Sequence, residues 1–354
     1  MLDHAPAPLD DATLQALTTV LAPIGRLTHA EPLTGGMFAT TYRATLADGE
    51  RVVVKTAPTA TERLLRHELD LLRTEALVYG LAADRPDLLM PRVLLIDLTR
   101  SVLPSDVLVV SHLDGTPLVD LGGLDDATHC VVQGELGAFM ARLHTVRGDR
   151  FGYPNAAAGL QAATWPDAFA AIVGALLDDA EAWRVDLPAD RVRAVLRRHA
   201  AALAEAPGPV LVHTDLWPGN LFVDPATGSL VGVIDTERAL WGDPMLELVG
   251  ADQRGLGPVP PALLEGYRSA GGELALGTPA GDARLWLYRM WISLVLVVEM
   301  VPRGYTGDWV AGHRADALAN LHAALDALDW RLGTIAVRGP RPWSAAPRAA
   351  PRRI

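Results

Sequence analysis

Lysine is almost missing from this chain of 354 residues: of its 31 Lys and Arg side chains only Lys55 is a lysine. Cysteine is as scarce. Cys130 stands alone, so no internal disulfide can form, and no CxxC pair marks a zinc site. A reducing compartment fits that usage. Net positive charge is also lacking. At −11 the chain is a poor candidate for binding nucleic acid or an anionic membrane. Nor is there a hydrophobic run long enough to span a bilayer. The greasiest stretch, WISLVLVV at 291–298, lies between Arg289 and Glu299 and reads as a buried helix. The start, MLDHAPAPLDDATLQAL, is acidic and has no long apolar core, so it does not read as a secretory signal. The expectation is a soluble, cytoplasmic protein.

Half of the residues are hydrophobic and 21% are charged, as in ordinary globular proteins. The length suits one large two-lobed unit or two domains. Residues 9–22 read as a helix. GGMFATTYRATL then puts Phe38, Thr40, Tyr42, Ala44 and Leu46 on one face at period two. Asp48-Gly49 makes a turn, and RVVVKTA follows as a β-branched strand with Val53 and Lys55 on a shared face. Residues 62–80 carry helical spacing, with Leu65, Leu69 and Leu72 as one stripe and Glu75 leaning toward it. Strands are expected at 92–98 and 107–112, and LDGTPLVDLGG reads as a connector. Beyond it, helical spacing predicts helices from about 126 and at 165–182, 189–205, 261–270, 282–300 and 311–330. The tail from 335 is rich in Arg and Pro without any acid, and is expected to be disordered.

One segment breaks the helical pattern. LVHTDLWPGNLFV places His213, Asp215 and Asn220 on a loop between two apolar runs, and VGVIDTE then ends an apolar strand on Asp235. A carboxylate and an amide oxygen suit magnesium, which prefers hard oxygen ligands. A second carboxylate held off the metal can accept the proton of an attacking hydroxyl. On this reading Asn220 and Asp235 hold Mg2+, Asp215 is the base, and His213 ties the loop down. Lys55 can bind nucleotide phosphates and Glu75, twenty residues on, can orient it. Gly35-Gly36 can let backbone amides approach phosphate. The bland alternative is that Asp and Asn merely serve loop geometry. Against it, a chain otherwise built on arginine keeps one lysine at Lys55, where a compact ammonium reaches what a guanidinium fork cannot.

These segments resemble the aminoglycoside phosphotransferase family, small-molecule relatives of the protein kinases. LVHTDLWPGNLFV is similar to its catalytic loop, VIDTERALWGDPMLEL to its I-D-x-x-x-x-x-x-G-D-P segment, and LGAFMARLHTV to the helix before the loop. The order of motifs matches over roughly 30–330. The resemblance implies an α+β, two-lobed protein-kinase-like fold: a small N-lobe with an antiparallel sheet and one key helix, and a larger, mainly helical C-lobe. The expected division is 1–112, 113–334 and a 335–354 tail. It also implies that Ser111, His112 and Leu113 form the hinge that receives the purine, and that Arg238 supports the catalytic aspartate. ATP or GTP would be the donor and a small hydroxylated molecule the acceptor. Two departures stand out: TGGMFATTY is not a G-x-G-x-x-G loop, and Glu247 sits where Asp is frequent. The short interval from Asp235 to Gly242-Asp243-Pro244 leaves no room for an activation segment, which argues against a protein kinase.

Three functions compete at this level. The first is an antibiotic O-phosphotransferase acting on an aminoglycoside, macrolide or nucleoside antibiotic. The second is a kinase for a sugar or amino alcohol, and the third an inactive nucleotide-binding module. Several other residues weigh less. Glu68 rivals Glu75; His144 reads as structural; Asp243 reads as a helix cap; Trp286, Tyr288 and Trp291 read as core; Asp252, Glu299 and Asp308 are open to meeting an acceptor.

Overall fold

The computed structural model describes residues 9–33 and 39–329. Gly35, Gly36, Phe38 and the tail from 335 lie outside the described residues. The first lobe is an antiparallel sheet with a helix on each face. Strands β1 (Leu27–Leu33), β2 (Thr40–Leu46), β3 (Arg51–Thr56), β4 (Val93–Asp97) and β5 (Val107–Ser111) lie in the order β1-β2-β3-β5-β4. Helix α1 (Asp11–Leu21) is capped by Asp10, whose carboxylate accepts from the Thr13 amide at 2.7 Å. Its Leu17, Val20 and Leu21 pack on Ala44, Leu46, Val52 and Val54. Helix α2 (Leu71–Leu81) covers the other face, with Leu72, Ala76 and Tyr79 against Val53, Leu108 and Val110. Strand alternation therefore sends Lys55 to the α2 side. Strand β1 was not among the expected elements; it is an edge strand, where the N–H that Pro32 lacks is tolerated.

The helix expected over 62–80 is only half there. Residues 61–63 and 66–68 are single turns, and Asp70 adopts a left-handed conformation, φ 59°, just before α2 begins. The expected stripe also fails. Leu65 is fully buried in the core of the other lobe, while Leu69 is exposed. The cause is local chemistry. The Glu68 carboxylate turns back to accept from the Leu65 amide at 2.9 Å, and tertiary contacts capture the segment. The Arg66 amide donates to Asp179 at 2.9 Å, His67 stacks on Tyr153, and Arg63 donates to the Pro302 carbonyl at 2.6 Å.

The second lobe is mainly helical. It contains α3 (Asp126–Leu143), α4 (Trp165–Ala182), α5 (Ala189–Arg198), α6 (Ala200–Ala204), α7 (Glu247–Ala251), α8 (Pro261–Ser269), α9 (Pro279–Val298) and α10 (Trp309–Asp329). Val132, Leu136, Phe139 and Leu143 of α3 are all fully buried, each side chain contributing ~1.5–3 kcal/mol. The expected helix over 189–205 divides at His199, whose ring bonds the Leu328 carbonyl at 2.9 Å. The apolar run 291–298 is buried in α9, and among the described residues no helix is long and apolar enough to cross a membrane.

Two small sheets frame the His-Asp-Asn loop. One holds β6 (Thr116–Pro117), β10 (Leu221–Val223) and β11 (Leu230–Val233). The other holds β7 (Phe151–Gly152), β8 (Gln161–Ala162), β9 (Val210–Val212) and β12 (Leu240–Gly242). The loop at 213–220 runs from β9 in one sheet to β10 in the other, so both ends are anchored on separate rigid pieces.

Candidate active site

Strand β3 delivers Lys55, helix α2 delivers Glu75, and the turn after β11 delivers Asp235. The three meet although they lie far apart in the chain. Lys55 Nζ is 2.8 Å from Glu75 Oε1, 2.6 Å from its Oε2, and 2.7 Å from Asp235 Oδ1. Glu75 is fully buried, while the Asp235 side chain is 31% exposed and so can reach a ligand. Burial works against the Lys55 ammonium, yet Asp235 and Glu75 hold its pKa well above the usual lysine value. Burial raises the Glu75 pKa; at Asp235 burial is outweighed by Lys55, and the carboxyl is lowered.

Tyr79 completes this side. One helical turn after Glu75, its hydroxyl donates to Glu75 Oε1 at 2.7 Å and accepts from the Asp235 amide at 3.0 Å. It thereby supports Asp235 in its left-handed conformation, φ 68°. Glu237 is buried beside them, and carboxylate oxygens of Glu75, Asp235 and Glu237 lie within 4.8 Å of one another. Burial and the neighbouring Asp235 push the Glu237 carboxyl well up. With one ammonium among three carboxylates, the formal excess is two negative charges when all are ionised. A hard divalent cation fits that donor set and that charge.

The loop at 213–220 supplies the rest. Asn220 Nδ2 donates to the Asp215 carbonyl at 2.9 Å and to Asp215 Oδ2 at 3.3 Å, and the Asn220 carbonyl accepts from the Ile234 amide at 3.0 Å, next to Asp235. Gln253 Nε2 donates to Asp215 Oδ1 at 2.6 Å. Burial raises the Asp215 carboxyl above the ordinary value; Arg238 pulls it back and Asp235 pushes it further up. His213 receives the Asp215 amide on Nδ1 at 3.3 Å and donates from Nε2 to the Ile234 carbonyl at 3.0 Å. Its ring thus ties the loop to the strand that carries Asp235.

Glu247 holds the loop from beneath. Its carboxylate accepts from the His213 amide at 2.7 Å and the Thr214 amide at 2.9 Å, and lies 3.6 Å from His144. Thr214 is left-handed at φ 65°, a strained state for a β-branched residue, worth ~1–3 kcal/mol. Its hydroxyl also donates to the Arg238 carbonyl at 2.9 Å. Gly250 allows the close approach, since a Cβ there would lie 2.7 Å from the Thr214 carbonyl carbon.

Other residues fall elsewhere. Arg238 donates to Glu299 Oε2 at 2.6 Å, and Glu299 and Glu68 both pair with Arg303, so Glu68 and Glu299 serve a structural network. Asp243 caps the turn at Pro244, accepting from the Met245 amide at 3.0 Å, and meets Tyr288 and Arg284. Tyr288 and Trp291 are core, while Trp286 is half-buried under Arg289. Asp252 faces Arg289, and Asp308 is exposed. At the β5 end, the Ser111 amide donates to Arg92 and the His112 amide to Arg51; Leu113 follows, half-buried. Sequence reasoning missed Tyr79, Glu237 and Gln253 as parts of the site. The first two carried signals, an i,i+4 spacing from Glu75 and a position two after Asp235. Gln253 carried none.

Solved structures share this fold. An APH(4)-Ia aminoglycoside phosphotransferase in complex with AMP-PNP and hygromycin B aligns with TM-score 0.60 at 19% identity, over 88% of this chain and 98% of that one. A Thermobifida fusca protein assigned as a fructosamine-3-kinase gives 0.63 at 20%, over 90% and 100%. The macrolide 2'-phosphotransferase MphH of Brachybacterium faecium gives 0.54 at 21%, over 87% and 98%. No curated protein matches the sequence. The model of the phosphotransferase enzyme family matches residues 29–285, well over half of the chain, and the chain belongs to that family.

Proposed function

We propose that this phosphotransferase moves the γ-phosphoryl group of ATP or GTP, with magnesium, to a hydroxyl of a small molecule, an antibiotic. The observation that carries the reading is the convergence of the one lysine, Lys55, on Asp235, 180 residues away, at 2.7 Å. Lys55, oriented by Glu75, holds the nucleotide phosphates. Asn220, through its amide oxygen, and Asp235 hold the magnesium. When bound, that ion neutralises triphosphate charge. Asp215 orients the acceptor hydroxyl and takes its proton, His213 and Glu247 fix the loop, and Arg238 steadies the charge of Asp215. The base sits between two lobes that we divide at 112/113, with the purine against Ser111, His112 and Leu113. The Ser111 and His112 amides bond the Arg92 and Arg51 carbonyls, and we assign the Leu113 amide to the base.

The APH(4)-Ia neighbour, with its nucleotide analogue and hygromycin B, supports a small hydroxylated acceptor. The likeness to the T. fusca protein favours a second reading, a kinase for a sugar or related metabolite. Mass spectrometry separates them: the protein is incubated with Mg-ATP or Mg-GTP and a panel of hydroxylated antibiotics, sugars and amino alcohols. A phosphate adduct on an antibiotic that is absent with Asp215→Ala is expected. Adducts only on sugars or amino alcohols favour the second reading, and none at all defeats both.

A further inference from the structure

Asp215 has no carboxylate oxygen without a donor: Asn220 reaches Oδ2 at 3.3 Å and Gln253 reaches Oδ1 at 2.6 Å. Asn220 belongs to the same loop and lies on the Asp235 side. Gln253 comes from the segment after α7, on another element, and makes the shorter contact. That segment is tied down at several points. The Asn320 amide donates to the Arg254 carbonyl at 3.0 Å, Arg254 pairs with Asp316 of α10, and Arg289 of α9 donates to the Gly257 carbonyl. A fixed backbone thus aims one flexible side chain at the base. An attacking hydroxyl has to give its proton to Asp215, and both carboxylate oxygens already accept from amides, Oδ1 in the shorter contact.

We propose that Gln253 is a stopper on the base, standing where the acceptor hydroxyl goes and keeping water out until an acceptor displaces it. This rests on the reading of Asp215 as proton acceptor. The reaction it suppresses is hydrolysis. A water oxygen bonds the γ-phosphorus as the bond to the bridging oxygen breaks, the water proton passes to Asp215, and nucleoside diphosphate and phosphate leave. An acceptor of the right shape provides a hydroxyl and swings the Gln253 amide aside, so nucleotide is consumed only with acceptor in place.

The test needs no knowledge of the acceptor. Hydrolysis of Mg-ATP and Mg-GTP alone is measured for wild type, Gln253→Ala, Gln253→Ser and the double variant Asp215→Asn/Gln253→Ala, with AMP-PNP affinity measured beside it. Removal of the amide should raise hydrolysis roughly tenfold, the scale of one charge-assisted hydrogen bond, and Asp215→Asn should abolish the gain. A purely structural role for Gln253 predicts no increase. No gain in either single variant that still binds AMP-PNP, or a gain that survives Asp215→Asn, overturns the stopper and leaves the proposed function standing. Failure of the wild type to bind AMP-PNP overturns both.

Discussion

Adjacent residues in one turn, Glu237 and Arg238, join two buried clusters of charge that differ in balance. Glu237 stands with Glu75 and Asp235, where three carboxylates surround the single ammonium of Lys55. Arg238 stands with Arg303, Glu68 and Glu299, two guanidiniums against two carboxylates. Desolvation penalises both, because a buried charge is tolerable only when paired. The second cluster supplies its own counter-charges and links the segment before α2 to the end of α9. The first, among the described residues, sets three carboxylates against one ammonium, and burial with the neighbouring Asp235 pushes the Glu237 carboxyl up. Balance therefore separates a cluster whose charges pair within the protein from one whose carboxylates outnumber its cations.

The comparison breaks most sharply at Asp235. Asp235→Asn should lower turnover by on the order of 10³–10⁵-fold, the scale of losing a charge-stabilising group in phosphoryl transfer. In nucleotide-free buffer its thermal midpoint should fall by no more than a degree or two, because the lost pairing with Lys55 is partly offset by relief of the repulsion from Glu75 and Glu237. Calorimetry beside an activity assay checks both. A variant that keeps its activity, or loses several degrees, would place Asp235 in the structural class.

Glu299 should behave in the opposite way. Glu299→Ala takes one buried carboxylate from Arg238 and Arg303, and should lower unfolding free energy by about 3–5 kcal/mol. Turnover per folded molecule should change far less than for Asp235→Asn. Denaturant unfolding with active-site titration reads the two quantities separately.

His67 sharpens the contrast through pH. Burial, aided by Arg238 and Arg303, lowers its pKa to about 4 from 6.5, with Glu68 opposing. Above the unfolded value the ring is neutral in both states and adds nothing. As pH falls below about 6.5 the unfolded chain takes up a proton that the native site refuses, so stability drops, by about 2 kcal/mol at pH 5. Glu299, lowered to about 2 by Arg303 and Arg238 against its burial, adds to the loss only as pH falls from about 4.5 toward 2. Unfolding at pH 7.5 and pH 5 should show the drop in wild type and a smaller one in His67→Gln. An equal drop in both would acquit His67.

The candidate site was more legible in the sequence than the Arg238–Arg303 cluster, for physical reasons. Metal and phosphate chemistry demands fixed residue types at short spacings on rigid ends. His213, Asp215, Asn220 and Asp235 stand close in one stretch between apolar runs and Lys55 is the one lysine, so their meeting in space could be expected, whereas Glu237 and Gln253 were missed. Glu68 and Leu65 could not be read, because helical spacing over 62–80 gave the same pattern whether α2 started at 62 or at Leu71. Only tertiary capture by Asp179, Tyr153 and Pro302 decided it. Strand β1 escaped for a related reason: an edge strand tolerates the proline that a central one would reject. The framework of α3, α4 and α9 showed in its apolar spacing, because burial on a helix face leaves a period in the chain.

The smallest expected effect lies at Glu247, which carries a charge yet belongs to neither cluster. It holds the loop by two backbone bonds, to His213 and Thr214, while Thr214 stays strained at φ 65°. Glu247→Asp keeps the charge but shortens the reach by one methylene, so at least one bond lengthens or is lost. Asp215 then samples more orientations, though Lys55, Glu75 and the nucleotide pocket are untouched. The expected result is a fall in kcat of about tenfold with KM for nucleotide unchanged, because the lost bond, worth ~1–2 kcal/mol, positions only the base. Steady-state kinetics with varied nucleotide check it. A rise in KM at constant kcat would mean that the loop serves nucleotide binding instead, and that Glu247 belongs functionally with the Lys55 cluster.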